Sequence, residues 1–148
     1  MKQRVSDFIA DYLSLRGIKD CFTVNGGGAM YLNDSFGHHE TICCTYFHHE
    51  QSAAMAAEAY ARIDNNIALI CVTTGPGATN AITGVAGAWM DSIPMLVISG
   101  QVRYATSIHA TGLPLRTRGV QEFDIISSVS NMTKYCELVT NPTKIKTC

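Results

Sequence analysis

Two runs constrain the fold more than anything else in the chain: "NNIALICVTT", residues 65–74, and "SIPMLVISG", residues 92–100. Both are apolar at every position through their middles, so neither offers a polar face to water. A strand of that kind is buried on both sides, as in a parallel sheet covered by helices above and below. Parallel neighbours need a crossover connection, and "GPGATNAITGVAGAWMD" between the two runs supplies a turn and a helix.

The same alternation extends in both directions. Upstream, Val5, Phe8, Ile9, Tyr12 and Leu13 recur at helical spacing, Gly17 marks the helix end, and "KDCFTV" reads as a short strand. "NGGGAMYLNDSF" is a glycine turn and a short helix, "TICCTYF" a second strand, and an alanine-rich helix runs from about Glu50 to Arg62. Downstream, Gln101 to Gly119 breaks the pattern with Gly112, Pro114 and Gly119 among polar and basic residues, a loop of functional length. "QEFDIISSVSNM" then predicts a helix and "TKYCELV" a fifth strand. Strands alternating with helices give βαβ units, so the expected class is α/β, a doubly wound parallel sheet with helices on both faces. "TNPTKIKTC" starts what resembles a helix and stops, so residues 1–148 are expected to form one C-terminally truncated domain.

Composition narrows the partners. With 47% hydrophobic and 16% charged residues the chain has enough apolar material for a real core. Eleven basic residues against twelve acidic ones, a net charge of −1 and no basic block exclude the electrostatic footprint of a nucleic-acid or membrane-surface binder. Asp7 and Asp11 interrupt the first apolar stretch, which rules out a signal-peptide core, and no segment reaches the ~20 apolar residues of a membrane span. The six cysteines lack C-x-x-C spacing and are read as reduced core residues. A cytoplasmic protein acting on a small molecule, or with another protein, is expected.

In open parallel sheets, ligands bind where the carboxyl ends of strands turn into helices. Three turns fall at that edge: "NGGGAM", "HHEQS" and "GPGATN". Glu50 begins the helix after the second, where a carboxylate stabilises unpaired N–H groups by roughly 0.3–1 kcal/mol whatever else it does. A dinucleotide-binding domain is one reading, because Gly26 and Gly28 mimic the start of G-x-G-x-x-G. Against it, the third glycine position is Tyr31, which would crowd helix against sheet, and Glu50 lies past the strand end. His38/His39, Cys43/Cys44 and His48/His49 cannot all converge on a metal, since neighbours on a strand point to opposite faces. No metal site is assigned to them.

"HHEQSAAMAAEAYAR", "TTGPGATNAITGVAGAWMDSIPMLVISGQV" and "TRGVQEFDIISSVSNMTKY", in that order, closely resemble the N-terminal pyrimidine-binding domain of thiamine-diphosphate-dependent enzymes. Within that superfamily the likeness is greatest to the large catalytic subunit of acetolactate synthase, and it covers nearly the whole chain. "SIHATGLPLRTRG" and "NGGGAM" depart from the pattern usual there. The resemblance implies that Glu50 hydrogen-bonds N1′ of the cofactor's aminopyrimidine and shares a proton with it. By that proton, the cofactor's exocyclic nitrogen takes the thiazolium C2 proton. It implies further that Gly75, Pro76, Gly77 and Asn80 lie against the pyrimidine ring, and that Gly27, Gln101 and Gln121 border the substrate pocket. Each also has a plainer role: a tight turn for the Gly and Pro residues, a helix start for Asn80, loop hydrogen bonding for the two glutamines. The implied chemistry is decarboxylation and carboligation of 2-oxo acids such as pyruvate.

In the resembling enzymes, diphosphate and Mg2+ are held by a separate domain that begins with Gly-Asp-Gly, a sequence this chain does not contain. The resemblance therefore implies half of an active site, with the other half supplied by a diphosphate-binding domain or subunit across a homodimer or higher oligomer. It also implies a last helix and strand beyond Cys148. A pyrimidine-binding subunit of a split 2-oxo-acid decarboxylase and a non-catalytic assembly domain are the alternatives.

Overall fold

The computed structural model describes residues 3–148. Its order is α1 (Val5–Leu15), β1 (Asp20–Thr23), α2 (Met30–Gly37), β2 (Cys43–Tyr46), α3 (Glu50–Asp64), β3 (Ala68–Val72), α4 (Pro76–Met90), β4 (Met95–Ser99) and a short α5 (Ile125–Val129). Gly17 ends α1 with φ +87° and an N–H bonded to the Ser14 carbonyl, as its position in the sequence predicts.

All strand pairs are parallel, in the order β2-β1-β3-β4. The chain moves outward from β1 to β2, then crosses back over β1 to reach β3. The expected doubly wound sheet is present, with its switch point between β1 and β3. One face is sealed by α3 and α4, whose Ala53, Ala54, Ala57, Ala61, Ala78 and Ala81 pack on Phe22, Ile70 and Val72. The other is sealed by α1 and α2, where Ala10, Leu13 and Phe36 meet Cys21, Leu69 and Cys71. Strand β3 is buried at all five positions because it is internal and covered on both faces. The equally apolar β4 is only half-buried throughout, since it lies at the sheet edge.

Two expectations need correction. "TKYCELV" forms no strand: the sheet described has four, and residues 133–139 are irregular. A strand forms only where its backbone groups find a ladder partner. This segment instead bonds locally, Thr133 Oγ1 to the Val129 carbonyl at 2.9 Å and the Tyr135 hydroxyl to the Glu137 carboxylate. The cysteines are all free, but they are not all core. Cys21 and Cys71 are buried and Cys44 packs against them, whereas Cys43 on edge strand β2 and Cys148 are exposed. Among the described residues, no helix is long and apolar enough to cross a membrane.

Candidate functional site

Because every strand is parallel, the turns after β1, β2 and β3 open on one edge, and glycines let them close on one another. A Cβ at Gly26 would sit 2.4 Å from the Thr73 side chain and one at Gly28 2.9 Å from that of Thr74. The Gly28 N–H donates to Thr73 Oγ1 at 3.0 Å. A Cβ at Gly100, at the end of β4, would strike the Gly28 carbonyl at 2.3 Å. The β1 turn therefore leans across the end of β3 to reach β4.

Glu50 lies beside this cluster. The His49 ring caps α3 by accepting the Gln51 N–H at 3.2 Å, and the helix starts with Glu50 turned inward, 8% exposed. Its Oε2 accepts from Asn80 Nδ2 at 2.9 Å, linking the first turns of α3 and α4. A Cβ at Gly77 would stand 3.3 Å from Oε1 and 2.6 Å from the Thr73 methyl, so glycine there lets Glu50 and Thr73 pack closely on the start of α4. Glu50, Gly77 and Asn80, separate in sequence, are brought together.

Gly75 has φ +60°, and Pro76 occupies the first turn of α4, where its missing N–H costs nothing. A Cβ at Gly75 would lie 2.1 Å from the Gln121 carbonyl oxygen, so this turn also seats the distant loop. Gln101 is engaged through both ends of its amide. Its Oε1 accepts from Thr74 Oγ1 at 2.6 Å and the Val102 N–H at 2.9 Å, while Nε2 donates to the Phe123 carbonyl at 3.2 Å. Gln121 is exposed, with φ +59°. Gly27 stands apart, bordering a hollow of about 580 Å³ with Met30, Asn33 and Tyr46 that Glu50 does not line. Sequence reasoning passed over Thr73, Thr74 and Gly100, whose signal was their position at the ends of apolar strands. It also passed over Glu122, which has no local signal.

A buried carboxylate amid glycine turns at the carboxyl edge of a doubly wound sheet defines a cofactor-binding α/β domain. The chain belongs to the thiamine pyrophosphate enzyme family: residues 3–128 match its N-terminal TPP binding domain. It is 37% identical over 142 residues to the acetolactate synthase large subunit of Cyanidium caldarium, covering 94% of this chain and 23% of that relative. Identity to the acetolactate synthase isozyme 3 large subunit of Escherichia coli (strain K12) is 38% over 124 residues, 84% and 20% of the two chains. For acetolactate synthase 2, chloroplastic, of Zea mays it is 34% over 134 residues, 90% and 20%. The chain spans about a fifth of the length of these curated relatives. The family match displaces the dinucleotide reading, although not for the reason Tyr31 suggested: that side chain is exposed and crowds nothing.

Proposed function

We propose that this chain is the pyrimidine-binding half of a thiamine-diphosphate-dependent, acetolactate synthase-like enzyme that decarboxylates and joins 2-oxo acids. The observation that carries the proposal is the division of labour at Glu50. Oε2 is held by Asn80, whereas Oε1 accepts no hydrogen bond among the described residues and lies against the side-chain-free edge of Gly77, where a Cβ would stand 3.3 Å from it. That cradle fits the edge of a flat heteroaromatic ring bearing a nitrogen acceptor. When bound, thiamine diphosphate supplies a nucleophilic carbon for addition to a ketone.

The chain's residues prepare that chemistry. Asn80 orients the carboxyl group, so that Oε1 is the atom that carries or takes a proton at the ring nitrogen. Thr73 and Gly77 pack beside Glu50 without bulky side chains, and Gly75 and Pro76 complete the turn between them. Gln121, exposed beside Gly75, is assigned to the substrate side. Gln101 is assigned to holding the loop there, and Gly27 to the rim of the neighbouring hollow. We assign the diphosphate and Mg2+ to another domain, since the sequence holds no Gly-Asp-Gly, and the assembly to a homodimer or higher oligomer. Six free thiols suit a reducing compartment such as the cytoplasm.

The test is deuterium exchange at the cofactor C2, measured with the diphosphate-binding domain supplied. Glu50→Gln should slow exchange by about two to four orders of magnitude, the span of a lost general acid–base group, with much smaller loss of cofactor affinity. Exchange at the wild-type rate would remove Glu50 from the reaction and leave a domain kept for assembly.

A further inference from the structure

The segment from Gln101 to Gln121 contains only two short 3-10 turns, Tyr104–Thr106 and Ile108–Ala110, yet it presses on the candidate site. Its anchor is Glu122, which is 7% exposed. Oε1 accepts the Ile108 N–H at 2.8 Å, and Oε2 accepts those of Arg118 and Gly119 at 3.0 and 2.9 Å. One carboxylate thus gathers two points of the loop ten residues apart. The flanking residues are equally engaged. The Gln121 carbonyl accepts from Thr74 Oγ1 at 3.4 Å, and the Phe123 carbonyl accepts from Gln101 Nε2 at 3.2 Å. The loop neck is therefore closed from both ends, directly against the Thr74–Gly75 turn.

We propose that Glu122 is a positioning residue: its buried carboxylate folds segment 101–121 on itself and so sets Gln101 and Gln121 against the Thr74–Gly75 turn. That these two glutamines border a 2-oxo acid pocket rests on the proposed function; the latch itself does not.

Glu122→Gln replaces one acceptor oxygen with an NH2 group that must face N–H donors. In amide hydrogen exchange on the 148-residue chain, Ile108, Arg118 and Gly119 should lose protection by about tenfold, the equivalent of one lost hydrogen bond to a charged group. Val102, whose N–H is held by Gln101, should loosen with them, while amides of α3 and β3 stay protected. Loosening of 108, 118 and 119 without Val102 would show a purely local role and overturn the proposal, as would protection unchanged at all four. If the Gln variant unfolds, Glu122→Asp keeps the charge with a shorter reach and should give partial loss confined to the segment. Loss spread evenly through the strands would overturn the proposal. With the diphosphate-binding domain supplied, Glu122→Gln should raise the KM for pyruvate by about tenfold and leave C2 exchange within about twofold, since Glu50 is untouched. If the wild type shows no C2 exchange at all, the proposed function fails, and the amide exchange still decides the latch.

Discussion

Glu50 and Glu122 are both buried carboxylates, and they differ in what satisfies them. Glu50 has a single side-chain partner and an oxygen left for a ligand, whereas Glu122 spends both oxygens on three backbone N–H groups. Burial alone pushes the Glu122 carboxyl upward, but those hydrogen bonds, with His109 nearby, outweigh it and hold the group below the usual carboxylate range. A carboxylate whose folded-state pKa is depressed adds stability above its unfolded value, and that stability disappears as pH falls through the folded value. Urea midpoints of wild type and Glu122→Gln should therefore differ most near neutrality and converge in acid, below the normal carboxylate range. A gap that persists unchanged at low pH would show that the ionised form is not what matters. Glu50 was legible in the sequence because it opens a helix inside a recognisable run. Its tie to Asn80, thirty residues on, and the whole role of Glu122 were not, since no local pattern marks a side chain whose partners lie elsewhere in a loop.

Helices α3 and α4 share a seam of alanine and glycine. At Gly84, a Cβ would meet that of Ala54 at 2.5 Å and the backbone behind it at 2.8 Å. At Gly87, three residues further along α4, the nearest atom is the flexible Glu58 carboxylate at 3.3 Å. Alanine gains about 1 kcal/mol over glycine in a helix, and overpacking against backbone loses about 1–3 kcal/mol. The signs should therefore separate: Gly84→Ala lowers stability by up to about 2 kcal/mol, while Gly87→Ala raises it by about 0.5–1 kcal/mol, both read by urea unfolding. Two changes of the same sign would refute this account of the seam. The helix–helix contact is what the alanine-rich pattern could announce only as a tendency. The expected strand at 133–139 failed at this scale too: its residues suit a strand, but strand formation is decided by an available edge.

The molecule as a whole has an uncovered sheet edge with apolar residues on it. Apolar β4 is half-buried at the edge, and Trp89 and Met90 stand exposed at the end of the neighbouring helix. Unpaired edges and uncovered apolar surface favour association. The 148-residue chain alone is expected to self-associate in sedimentation velocity, to bind thiamine diphosphate weakly and to release no carbon dioxide from pyruvate. Adding a separately expressed diphosphate-binding domain should restore turnover; activity from the chain by itself would refute the half-site proposal. The sequence by itself determined the alternation of elements, the two-faced burial of β3, the capping glycine of α1 and the turns that open on one edge. These follow from periodicities of two and about 3.6 residues and from glycine's backbone freedom, all properties of near neighbours. Only the tertiary structure decided the order β2-β1-β3-β4, the half-burial of β4, the meeting of Glu50 with Gly77 and Asn80, and the seating of Gln121 on Gly75. Those join residues tens of positions apart, and which of them meet depends on the path of the crossovers and the packing of helices on the sheet, not on any pattern within a single element.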